Sequence, residues 1–500
     1  MKLEFRKARF ALVGVLVACG AAAACANSDD DLAGDPNAGP DAGVDRDAGK
    51  DAASSDVTED GGKDAGKDSA KDAGQDADEP DAGLDASVDA GPDAAHCSAG
   101  GWCHTDNTLF AQETLRGIWA GANGVAFTVS ESGKAYVYSG GKWHLLFTEP
   151  SATPAPFYAV WGSSNTDVWI GGKTGLFHGT GTSPEQLTFA AVPINDRTDL
   201  PNNQIVVSLW GSGPNDIYAV TNNGTGRTGG TWDVAARPTG SSSYVLRYKG
   251  APADPADMTR GWVKDEFFGT AVESTFLNRV FGSSATDVWV VGSRTIGTGT
   301  AAKQRFLAVH YAPDATNNGA LTPTLTLPVA SGAPTDPSSV SAYNGGSMWG
   351  GASVDSSKAL VFGKYGYSTG VPGTGNNVFA AVLTAAATPG AYQVATLNNP
   401  QVGDSCSVIR DWYGAEAVGN DVYYYGGNNS TSPHTSIICR YVGTKATNPL
   451  FEIEDFELED PVTQEPITVP ILWGSAKSST AVWIVGEGTA MYKQLTPPAP

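Results

Sequence analysis

Basic side chains are scarce in this 500-residue chain: 31 Lys and Arg stand against 53 Asp and Glu, a formal net charge of -22. A nucleic-acid binder needs a basic face to displace counterions, so that class of partner is excluded. Charged residues make up only 17% of the chain, too few for a coiled coil, and long apolar runs are too few for a multi-span membrane protein. The six His (96, 104, 144, 178, 310, 434) never fall in H-x-x-x-H spacing, so neither a metal site nor a cofactor is expected. What is plentiful is Gly (61) and Pro (30), the punctuation of turns and short strands.

The first residues read as a secretory signal. Lys2, Arg6, Lys7 and Arg9 precede the apolar stretch Phe10–Ala18, which is short for a bilayer span. It ends in Leu16-Val17-Ala18-Cys19, which resembles the lipobox of bacterial lipoproteins. The resemblance implies a signal peptide over 1–18 and cleavage before Cys19. It also implies lipidation of the Cys19 thiol, with two or more acyl chains holding the chain on a membrane. Gly20 after the Cys implies, in the same scheme, the outer membrane of a cell envelope. The alternatives are an ordinary cut within 21–26 and lipidation at Cys25, which lacks the large aliphatic residue three places before it.

Residues 19–96 read as a tether. Residues 27–96 alone carry a net charge of -16 and repeat the unit Asp-Ala-Gly, as at Asp41–Gly43 and Asp72–Gly74. With no aromatic residue and almost no large aliphatic, the segment cannot offset its ordering entropy and is expected to be disordered. Calcium binding is the alternative, but the period lacks the alternate-position oxygens and closing Glu of an EF-hand loop.

From residue 97 the chain repeats. Ala159–Gly172 (AVWGSSNTDVWIGG) recurs as Ser208–Thr221, Arg279–Gly292 and Ile471–Gly486, with weaker copies at Gly117–Ser130, Ser341–Gly351 and Asp411–Gly427. Each copy joins two β-rich runs through a Gly/Ser/Asp turn, and a third run follows. Four antiparallel strands repeated seven times predict an all-β, seven-bladed β-propeller over 97–500. On this reading Trp119, Trp161, Trp210 and Trp473 end first strands, and Trp169, Trp289, Trp349 and Trp483 sit in second strands, all filling gaps between blades. The repeat resembles the WGSSxxDVWxVG propeller repeats of myxobacterial surface lipoproteins and, more loosely, tectonin-type lectin propellers.

The seventh copy lacks a fourth strand, and Gly101–His104 matches Gly141–His144, the start of the fourth strand in blade one. Residues around 102–112 are therefore expected to complete the last blade. Cys97 and Cys103 are placed to clip that strand with a disulfide, and Cys406 with Cys439 would be the second pair; free buried thiols are the alternative.

Three motifs invite chemistry and are declined. Gly366–Gly370 fits G-x-S-x-G, but Pro372 and a Gly-rich stretch follow where a nucleophile elbow needs a helix. Gly224–Gly229 fits G-x-G-x-x-G, again with no helix to present amides to a phosphate. The recurrent Asp167, Asp216, Asp287 and Asp421 are expected to accept backbone hydrogen bonds in the first turn. No catalytic residue is assigned.

Long irregular segments are expected on the face opposite the short first turns, and loops on a rigid scaffold concentrate function. Trp232 and Trp262 fall in these segments without a repeat position, near Arg237, Arg260 and, in another insertion, His434. These are the candidate ligand-binding residues. The reading is an envelope-anchored, non-catalytic scaffold whose partner is an envelope protein; the alternatives are a multivalent lectin, whose partner would be a glycan, and a loop-face hydrolase.

Overall fold

The structure, a computed structural model, describes residues 97–495 except 193, 195–197, 201–203, 223–226, 229–230, 233–242, 253–256, 258, 266–273, 297–302, 315–319, 327–346, 365–377, 386–391, 398–410, 420, 429–434, 442–450 and 454–471. Cys19, the Asp-Ala-Gly repeats, Arg237, Cys406 and His434 lie outside the described residues.

Seven four-stranded antiparallel sheets form seven blades. Blade one comprises Leu115–Ala120, Ala126–Ser130, Lys134–Ser139 and Lys142–Thr148; blade two comprises Phe157–Ser164, Asp167–Gly172, Gly175–Gly181 and Leu187–Val192. Blade three has Ile205–Gly213, Asp216–Asn222, Tyr244–Tyr248 and Trp262–Lys264; blade four has Ser274–Ser284, Asp287–Ile296, Lys303–Asp314 and Ala320–Thr326. Blade five is Ser347–Asp355, Lys358–Lys364, Val378–Ala385 and Tyr392–Leu397, and blade six is Asp411–Val418, Asp421–Asn428, Thr435–Tyr441 and Phe451–Ile453. In blade seven, Leu472–Lys477, Ala481–Gly486 and Thr489–Gln494 are joined by Trp102–His104 as the outer strand, with Trp102 opposite Lys493. The two ends of the repeat region thus meet in one sheet, as the truncated seventh repeat predicts.

Second strands such as Ala126–Ser130 and Ala481–Gly486 are buried at every residue because both sheet faces are covered. That is why they read as unbroken β-branched and aromatic runs, not as alternating ones. The apolar residues sort into seven clusters, each shared by two adjacent blades, and one of them joins blade seven to blade one. Burial between blades therefore closes the ring.

Every first strand carries a bulge at the same place. The residues skipped in the register are Arg116, Tyr158, Val207, Asn278, Trp349, Tyr413 and Trp473. Three residues after each bulge comes a position that faces the next blade. It holds Trp119, Trp161 and Trp210 in blades one to three, and each ring lies on a glycine of its neighbour. A Cβ added at Gly162 would come 2.7 Å from Trp119, at Gly211 2.7 Å from Trp161, and at Gly282 2.8 Å from Trp210. This explains the Trp-Gly pair of the repeat: the Trp reaches forward, and the Gly receives the Trp of the blade before.

Three expectations are corrected. In blade five the first strand is Ser347–Asp355, so Trp349 lies on a first strand, at the bulge. The turn lies at Asp355–Lys358, where Asp355 Oδ1 accepts from the Ser357 amide at 2.7 Å; the earlier Asn344-Gly345-Gly346 imitates such a turn in sequence. Trp473 is likewise at a bulge, since Ala476, not Trp473, pairs with Trp483. Finally, Gly250 and Gly261 lie between the third and fourth strands of blade three, on the short-turn face; a Cβ on Gly250 would come 3.1 Å from Asn215 in the first turn.

Candidate binding site

The recurrent Asp residues are bound by side chains from the neighbouring strands. In blade two, Ser163 donates to Asp167 Oδ2 and His178 Nε2 donates to Oδ1 at 2.5 Å, with the imidazole stacked 3.9 Å from Trp169. Blade four repeats this. Asp287 accepts from Ser283 (2.5 Å), His310 Nε2 (2.7 Å), Trp289 Nε1 (3.0 Å) and Ser353 of blade five (2.5 Å), and His310 stacks on Trp289. In blade three Arg247 replaces the imidazole, donating to Asp216 Oδ1 at 2.6 and 2.8 Å and lying 4.9 Å over Tyr218. In blade six Arg440 donates to Asp421 at 3.4 Å.

The ring carboxylate and the His or Arg opposite the aromatic two residues later come as a pair. Blades one, five and seven hold Val125/Phe127/Val137, Lys358/Leu360/Val382 and Ala481/Trp483/Tyr492 at the same positions, with neither the carboxylate nor the opposing His or Arg. No blade holds one member of this pair without the other, as expected where loss of one would strand a buried carboxylate or its donor. Burial pushes the Asp167 and Asp287 carboxyls up, but the hydrogen bonds from His and Ser outweigh it and hold both below their ordinary range. Asp287 and His310 are closed to solvent, and each imidazole faces an Asp and a Trp, not a Ser hydroxyl. These are clasps that pin strands, not nucleophile–base pairs.

The bulges turn the seven first strands so that residues from all seven blades line a cavity of about 270 Å³ on the ring axis. Around this cavity the repeat positions are unequal. The forward-facing position is Trp119, Trp161, Trp210 and Phe281 in blades one to four, but Ala352, Glu416 and Ala476 in blades five to seven. Two residues earlier, the position is Gly117, Ala159, Ser208, Gly350, Gly414 and Gly474 in six blades and Arg279 in blade four.

The two exceptional residues, Arg279 and Glu416, act on each other electrostatically. The Arg279 stem crosses Gly350 of blade five, where an added Cβ would come 3.2 Å from its Cδ, and its guanidinium hydrogen-bonds the Tyr425 hydroxyl in blade six. Tyr425 occupies the space over Gly414 that a side chain there would need. The Ser475 hydroxyl of blade seven donates to the Ala415 carbonyl at 3.3 Å and favours the ionised forms of Glu416 and Tyr425. Burial raises the Glu416 carboxyl above its ordinary range, against the pull of Lys477, Arg279 and Ser475. Arg116, also at the cavity, is neutralised by Glu131 at 2.5 Å.

Of the residues expected to bind ligand, Trp262 and Arg260 do not line this cavity. Trp262 is fully buried in the outer strand of blade three, edge-on to Trp169 at 5.3 Å and 5.3 Å from Tyr248, so it offers no ring for stacking. Arg260 is exposed in the tight turn before it, with φ 51°. Trp232 lies in a two-stranded ribbon, Arg227–Thr228 with Thr231–Trp232, and its side chain is outside the described residues. A disulfide joins Cys97 to Cys103, and Cys439 is buried and disulfide-bonded. Arg279 and Glu416 escape a reading that searches for likeness among repeats; aligning the seven copies position by position exposes both.

Among the described residues no group of three or more His, Cys, Asp or Glu is placed to hold a metal. No helix there is long and apolar enough to cross a membrane. No known protein family matches the chain, and no curated protein does. Among solved structures it is similar to virginiamycin B lyase from Staphylococcus aureus, with 12% identity and a TM-score of 0.45, over 79% of this chain and 99% of that one. It is similar to YCF48 bound to D1 peptide, with 12% identity and a TM-score of 0.46, over 79% and 97%. It is also similar to an ancestral GH74 enzyme, with 14% identity and a TM-score of 0.45, over 78% and 46%. The sheets themselves make the fold a seven-bladed propeller, which fits a binding or scaffold module.

Proposed function

We propose that the chain is a binding module, carried on an envelope membrane through a lipid at Cys19 and held off it by the acidic segment 19–96. Its task is to engage a partner, not to transform a substrate. The observation that carries this reading is the axial cavity, built by seven unlike blades and charged at two positions where the repeat is otherwise small or apolar. Seven equivalent pockets, the arrangement expected of a multivalent lectin, would require equivalent blades, and these blades differ both at the axis and in their clasps. A rigid ring with one distinctive centre suits one partner per chain.

The test uses the whole chain, purified in detergent, as bait against solubilised envelope and a glycan panel. Saturable capture of one envelope component at one per chain is the expected result. Sugar binding at several sites per chain would replace this reading with the lectin, and turnover of a captured component would replace it with an enzyme.

A further inference from the structure

Resting on the reading of this ring as a binding module, we propose that the axial cavity is a site for a small carboxylate that also carries a hydrogen-bond donor, a hydroxyl or an ammonium group. Arg279 and Lys477 receive the carboxylate, and Glu416 accepts from the donor.

The size follows from the cavity: about 270 Å³ is at or below the lower end of the roughly 300–1,000 Å³ of drug-sized pockets. The sign follows from the charges. Two cations, Arg279 and Lys477, face one carboxylate, Glu416, whose ionisation burial opposes, while Arg116 is already balanced by Glu131. The chemistry follows from the donors. A guanidinium offers five N–H groups in a planar fork that matches a carboxylate, and the Tyr425 hydroxyl does not exhaust them. Lys477 is exposed at the end of its strand, a point charge at the cavity wall. The position follows from the broken repeat. Six blades keep the Arg279 position small, and no other blade puts a charge where Glu416 stands, so neither residue is needed to build a blade. Small side chains at Ala352 and Ala476 leave space on either side of Glu416, where blades one to four place large rings.

The experiment is titration calorimetry on the whole chain in detergent with four probes: L-lactate and glucuronate (carboxylate with hydroxyls), L-alanine (carboxylate with ammonium) and acetate (carboxylate alone). Expected is binding of lactate and glucuronate, or of alanine, at one site per chain and more tightly than acetate; which of the two arms binds identifies the donor. Lys477→Gln, at an exposed residue, should weaken it about tenfold, the usual loss of one charge-assisted hydrogen bond. Arg279→Lys, which keeps the charge and loses the fork, should weaken it with unchanged thermal unfolding. Glu416→Gln should erase the preference over acetate. Absence of binding by all four probes up to roughly 10 mM, weaker than the millimolar foot of the affinity scale, overturns the proposal, as does binding that Lys477→Gln and Arg279→Lys leave unaltered. Capture of an envelope partner would survive either failure, so the two readings are separable.

Discussion

Blades one to four send Trp119, Trp161, Trp210 and Phe281 toward the next blade, whereas blades five to seven send Ala352, Glu416 and Ala476 from the same position. The receiving residues follow suit. Gly162, Gly211 and Gly282 accommodate the Trp rings, while Ala417 stands in blade six, where the incoming residue is only Ala352. One arc of the ring is therefore sealed by aromatic area, and the other is left with room and charge. A repeat fold lets the two tasks be divided because each blade contacts only its neighbours.

The largest expected break in this contrast is Trp161→Ala, which removes a ring that is 8% exposed and should cost about 3–5 kcal/mol in denaturant unfolding. Gly211→Ala, which drives a methyl into the same ring, should cost about 1–3 kcal/mol. The double variant should lose less than the sum, because the ring's share of the clash disappears with it, while the 2.8 Å approach to the Asp216 carbonyl remains. Additive losses would show that the Trp-Gly pair is not a unit.

Acid sharpens a second difference, between clasp and cavity. The Asp287 carboxyl is held below its ordinary range, so its contribution is present above the unfolded value near about pH 4 and is lost as pH falls through the folded value. Asp287→Asn should therefore lower stability at pH 7 by about 2 kcal/mol and flatten the decline as pH falls below about 4. Glu416 runs the other way. Its carboxyl is raised, so its neutral form favours the fold at low pH, and that advantage fades as pH rises through about 4.3 toward the folded value. Glu416→Gln should be the mildest change, neutral or stabilising by less than about 1 kcal/mol, and more favourable at pH 7 than at pH 4. A Glu416→Gln variant whose effect is less favourable at pH 7 than at pH 4 would place the proton elsewhere.

Seven blades were legible because a Trp-Gly pair, a polar turn and a Val-Trp pair recur at nearly constant spacing, and closure was legible because Trp102 matches Trp143. Blade five slipped by one strand, since Gly345-Gly346 carries a stronger turn signal than Ser356-Ser357, although the Asp355 side chain makes the real turn. The outer strand Trp262–Lys264 is too short to show alternation, so its Trp passed for an exposed anchor when it is a wedge between blades two and three. Arg279 and Glu416 were invisible for a different reason. The axis is assembled by bulges, one residue out of step with the alternation along each strand, and side chains from blades four, six and seven meet there only after closure.

Closure also determines how the ring would bear mechanical load. The chain enters it at Cys97, and the Cys97–Cys103 disulfide short-circuits the five residues between. Tension applied from the amino-terminal side passes through sulfur directly to Cys103, opposite Tyr492, and then to His104, opposite Met491. Ser98–Trp102 stays slack. Trp102, fully buried against blade six, is thereby spared the force, and the wedge that locks the last blade remains seated while the chain ahead of it is stretched.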